Sequence, residues 1–132
     1  MERVIQRLDM ARKALGTFEE VMRIESPSSI ERDAAIQRFE YTFEAMWKAA
    51  KQVLLDIEGV DVASPKGVIR SCREVQLLNE EEAIDALQMV DDRNLTVHTY
   101  NEALSLEIYS RLPSYVSFFR IWLQRLQERS NG

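Results

Sequence analysis

Apolar residues recur along this chain at spacings of three and four, with polar and charged residues between them, over one long stretch after another. That period belongs to α-helices that each bury a single stripe. The first stripe, Val4, Ile5, Leu8, Ala11, Leu15, Phe18 and Val21 or Met22, predicts a helix from about Glu2 to Ile24. "SPSSIERD" interrupts it, and Ser28 with Glu31 has the spacing of a capping box, in which each side chain satisfies an orphan amide of the other's turn. The second helix, starting there, carries the clearest stripe: Phe39, Phe43, Met46, Ala50, Val53 and Ile57, with Trp47 and Leu54 widening it. Such a seam suits a helix packed nearly parallel to its neighbours. Gly59 ends it, after roughly thirty residues or ~45 Å of helix.

"ASPKGVIRSCREVQLL" predicts a third helix, with Ser64 as N-cap and Pro65 at the first helical position, where its missing N–H is no loss. Asn79 caps a fourth, "EEEAIDALQMVDDRNL", whose leading glutamates suit the positive end of the helix dipole better than they suit a metal. This helix should weaken at "TVHT", where β-branched residues flank the chain's one histidine, His98, and Asn101 reads as a fresh N-cap. A last helix then runs from about Glu102 to Gln127, with Tyr115, Phe118, Phe119, Trp122 and Leu126 on one face and a kink at Pro113. Short connections between such stripes predict an all-α fold, an antiparallel up-and-down bundle of four to five helices.

The 132 residues fit one domain spanning 1–132, and 45% apolar with 30% charged residues is a globular composition. A net charge of −5 argues against general coating of nucleic acid, though not against a small local basic site. The single cysteine, Cys72, excludes an intrachain disulfide framework and reads as a small buried residue. No secretory signal and no apolar run long enough to span a membrane stands out, so a soluble, cytoplasmic protein is expected.

Much chemistry is excluded by what is missing. Gly16, Gly59 and Gly67 are too far apart for a phosphate loop. One histidine and one cysteine cannot build a zinc site, and Leu95 occupies the position where a di-iron bundle would need a glutamate before His98. No metal site and no cofactor is expected. What remains is "DDRNLTVHTYN". On one straight helix Arg93 and His98 would point about 140° apart. A bend at the corner, or a symmetric dimer in which two fourth helices meet, could bring such groups to one cleft. A purely structural reading also stands: Asn94 and His98 as helix-end caps, Arg93 paired with Asp92 or Glu81, and Tyr100 as a core residue with a wet tip.

"RNLTVHTY" matches the RxxxxHxY signature of the HEPN superfamily. "FEYTFEAMWKAAKQVL", "SPKGVIRSCREVQLL" and "DDRNLTVHTYNEALSLEIYSRLP" resemble, in order, stretches of its HepT-like branch, the nucleotidyltransferase substrate-binding proteins. The resemblance implies a HEPN-like helical bundle that forms homodimers or larger homo-oligomers. It implies a toxin encoded beside a cognate minimal nucleotidyltransferase, in which Arg93 and His98 form a metal-independent ribonuclease site at the dimer cleft. There Arg93 would hold a phosphate of RNA with its charged fork and His98 would transfer a proton. Asn94 would orient phosphate or imidazole, and Tyr100 matches a tyrosine that the partner adenylylates, adding charge and bulk that repel RNA. Further grip would fall to residues such as Lys66, Arg70 and Arg73. The alternative is a non-catalytic subunit that presents a nucleotide to the partner enzyme, with Arg93 on phosphate and Tyr100 stacked on a base.

Overall fold

The computed structural model describes residues 1–131, and every element in it is helical. The helices are α1 (Glu2–Met22), α2 (Ser29–Asp56), α3 (Pro65–Glu74), α4 (Glu80–Leu95) and α5 (Glu102–Asn131), with one 3-10 turn, Thr96–His98, between the last two. The all-α bundle expected from the stripes is what the chain forms.

Local chemistry starts the helices where the sequence signals them. The Ser28–Glu31 capping box forms, and Asn79 makes a second one with Glu82. The latter gives one of the three leading glutamates a specific partner beyond its fit to the dipole. Ser64 caps α3 by accepting from Gly67 N–H at 3.1 Å. After α2 the chain turns at Gly59, whose φ of 69° lies in the left-handed region that glycine adopts without strain. α5 runs unbroken through Pro113, which is exposed and lacks the N–H that would otherwise bond the carbonyl one turn back. The last helix extends to Asn131 and the first stops at Met22, each within about a turn of its expected end.

Pairwise contacts fix the topology. Ala14 accepts from Thr42 and Thr17 from Arg38, so α1 and α2 are antiparallel. Glu19 pairs with Arg120 near the end of α1, while the turn after α2 pairs Glu58 with Arg129. Asp92 meets Arg111 and Glu82 meets Arg125, so α4 and α5 are antiparallel too. The four long helices thus go up, down, up, down, with α2 and α5 on a diagonal and the short α3 packed against α2 and α4.

The diagonal contact is aromatic. Phe39 of α2 stacks on Tyr115 of α5, with centroids 5.2 Å apart, and also meets Phe18, Phe43 and Phe119. Trp122, Met46, Leu54, Ile69 and Met89 fill the remaining core. Of the first helix's expected stripe, Ile5 alone faces out. Among the described residues no helix is long and apolar enough to cross a membrane.

Candidate functional site

The corner between α4 and α5 is built by side chains that compete with the helix for its own carbonyls. Thr96, buried, donates its hydroxyl to the Arg93 carbonyl at 2.7 Å, and Thr99 donates to the Thr96 carbonyl at 3.0 Å. Leu104 N–H then donates to Asn101 Oδ1 at 3.2 Å, starting α5. The weakening expected at "TVHT" takes the form of a single tight 3-10 turn, which changes the direction in which successive side chains leave the backbone.

Arg93 lies in the last turn of α4 with 38% of its side chain exposed, and its Nη2 donates to Glu44 Oε1 of α2 at 2.5 Å. The expected partner was Asp92 or Glu81. A helix-internal neighbour loses to one across the interface because Asp92 points into the core and Arg93, about 100° further round, points at α2. The second oxygen of Glu44 lies 3.8 Å from Lys48 Nζ. Two cations therefore share one carboxylate. No sequence pattern pairs Glu44 with a residue 49 positions away, although its i, i+4 spacing from Lys48 is visible.

Asn94, His98 and Tyr100 are exposed. Tyr100, read structurally as a core residue with a wet tip, is instead 86% exposed. The 3-10 turn brings His98 and Tyr100 together, with Nδ1 and the phenolic oxygen 3.5 Å apart and the rings edge to face at 6.0 Å. Arg93 makes no hydrogen bond to either among the described residues. Lys66 pairs with Asp91 at 3.0 Å, beside the end of α4, whereas Arg73 pairs with Glu80 at the opposite end of that helix. Of the basic residues beyond Arg93, Lys66 and Lys48 are thus near the corner and Arg73 is not.

Beneath the corner lies a group that the sequence reading did not single out. Asp92 is 1% exposed, and its two oxygens accept from Arg111 Nε and Nη2, each at 2.7 Å, while the Tyr115 hydroxyl also donates to it. Hydrogen bonding to Asp92 holds the Arg111 guanidinium above its already high ordinary pKa. Burial, with Asp92 adding to it, pushes the Tyr115 phenol up as well. Cys72 is buried in α3 and its thiol is pushed up to about 12 by that burial, which removes it as a nucleophile near neutral pH.

A helical bundle whose exposed polar corner carries Arg, His and Tyr on RxxxxHxY defines a class, and comparison with known proteins gives it a family. Residues 6–128 match the family described as nucleotidyltransferase substrate binding protein like, and the chain belongs to it. It is similar to a Thermus thermophilus protein of known crystal structure, with 61% identity and a TM-score of 0.86 over 89% of this chain and 98% of that one. A Haemophilus influenzae structure, solved as the fold of a substrate binding domain of a nucleotidyltransferase, superposes with a TM-score of 0.77 over 91% of this chain and 98% of that one, at 21% identity. A Haemophilus influenzae protein named probable ribonuclease HepT is 24% identical over 100 residues, 73% of this chain and 67% of that protein.

Proposed function

We propose that this chain is a HepT-like, metal-independent endoribonuclease that acts as a dimer and is silenced by a cognate minimal nucleotidyltransferase at Tyr100. The observation that carries the proposal is the state of the corner. A partly exposed guanidinium in the last turn of α4 and an exposed imidazole at the end of the 3-10 turn flank one corner of the fold, and the core consumes neither. Arg93 has further N–H donors beyond the one held by Glu44, enough to fork onto two oxygens of a phosphodiester. His98 takes the proton of a ribose 2′-hydroxyl, the 2′-oxygen attacks the adjacent phosphorus, and the bond to the 5′-oxygen breaks as that oxygen takes a proton from water, His98 afterwards releasing its own to solvent. The products are a 2′,3′-cyclic phosphate and a 5′-hydroxyl. Such proton transfer contributes about 10²–10⁴ in rate. Arg93 and His98 share no hydrogen bond within one chain, and in this reading two copies around a two-fold axis complete the site, with Asn94 orienting the bound phosphate.

An exposed Tyr100 favours a second reading of the same surface, the non-catalytic subunit that offers a nucleotide to a nucleotidyltransferase, its ring serving as a stacking platform. Incubation of the purified protein with RNA in EDTA separates the two. Cyclic phosphate ends that disappear in Arg93→Ala and His98→Ala, at unchanged helicity, support the ribonuclease. Tight nucleotide binding without cleavage by the wild type supports the other.

A further inference from the structure

Every residue of the proposed site, Arg93, Asn94, His98 and Tyr100, lies on the stretch of chain between Asp92 and Arg111. That stretch leaves α4, turns through the 3-10 segment and enters α5, and an ion pair between the buried Asp92 and the partly exposed Arg111 closes it at its base. Asp92 is the one charged residue among those fully buried in the described chain. Both of its oxygens are engaged by the planar fork of Arg111, which fixes an orientation as well as a distance. Arg111 is steadied in turn by Glu107, one turn earlier on α5, at 3.3 Å, and Tyr115 adds its hydroxyl to the carboxylate.

We propose that Asp92, Arg111 and Tyr115 are positioning residues. They lock the angle and helical phase of the end of α4 against α5, and so determine where Arg93 and His98 point. What they position rests on the ribonuclease reading; the lock itself does not. Two considerations favour a positioning role over a merely cohesive one. A buried ion pair is commonly no more stabilising than apolar residues of the same volume, whereas its directionality does set registry. Arg93 also follows Asp92 directly, so any rotation of α4 that moves the carboxylate carries the guanidinium with it.

The double variant Asp92→Leu, Arg111→Met replaces the lock by apolar side chains and tests the idea on the full chain with a short RNA. The expected result is a Tm within a few degrees of wild type and an RNA KM within about twofold, with kcat reduced about 10–100-fold, the scale that a misplacement of about 1 Å produces. Arg111→Lys keeps the charge without the fork and should fall between. Hydrogen exchange gives a readout independent of catalysis: the amides of Thr99 and Asn101, bonded to the Thr96 and His98 carbonyls, should exchange faster in both variants. Unchanged kcat in a folded variant overturns the proposal, and so does unchanged exchange at those amides. If the double variant does not fold, Arg111→Lys decides by the same two readouts. A wild type that cleaves no RNA sinks the ribonuclease reading alone, and the exchange comparison then decides whether the lock exists.

Discussion

Removing Arg111 alone should be far more damaging than replacing both members of the lock. In Arg111→Met the Asp92 carboxylate stays buried with only the Tyr115 hydroxyl for company. Breaking a buried pair by deleting one partner costs about 3–5 kcal/mol. The low end applies here, about 3 kcal/mol, because the Arg111 side chain is 30% exposed and the carboxylate keeps one hydrogen bond. Unfolding entropy near the transition is about 2.1 cal/mol/K per residue, so the 132 residues give about 0.28 kcal/mol/K and a fall in Tm of about 11 °C. Differential scanning calorimetry at neutral pH measures it, and circular dichroism before the transition checks that helicity is intact. A fall of less than about 3 °C would mean that Asp92 finds water or another partner at no cost, and the claim of a carboxylate sealed from solvent would be wrong.

Other outcomes follow from the same physics. Phe39→Ala empties the aromatic centre shared by α1, α2 and α5 and should cost about 3–5 kcal/mol in denaturant titration. Asn79→Ala removes the cap of α4 and should cost about 1 kcal/mol, with Ser28→Ala similar at α2. Cys72 should resist alkylation in native protein at about pH 8 and react fully in denaturant, since burial pushes its thiol up to about 12. Glu82 is held below the usual carboxylate range, chiefly by its hydrogen bond from Arg125. Its contribution to stability is therefore present above its unfolded pKa and lost as pH falls through the lower folded value, so Glu82→Gln should flatten the acid limb of a stability against pH curve.

The helices were legible because their signals are local. A stripe such as Phe39, Phe43, Met46, Ala50 and Val53 needs only neighbours three and four apart, and Ser28 with Glu31 or Ser64 with Pro65 are read within one turn. The direction taken at "TVHT" was legible in kind, since β-branched residues and threonine hydroxyls oppose the helix there, but its geometry was not. The partner of Arg93 was illegible. Glu44 is 49 positions away, and its choice over Asp92 depends on which side of α4 faces α2. Asp92 and Arg111, 19 positions apart, are two ordinary charged residues in sequence. Only packing reveals that one is sealed in the core, and an acidic residue in the chain's most polar stretch reads by default as solvated. Tyr100 was misplaced in the structural reading for the converse reason: an aromatic ring suggests core, yet the 3-10 turn carries it outward.

The central claim is that one guanidinium and one imidazole act on the same phosphodiester. A crystal structure with a short RNA blocked by 2′-O-methyl groups tests it most directly. The account predicts one phosphate contacted at once by Arg93 and His98 across a two-fold axis, with Lys48 nearby. A phosphate held elsewhere, or Arg93 and His98 on opposite sides of the assembly, would contradict it.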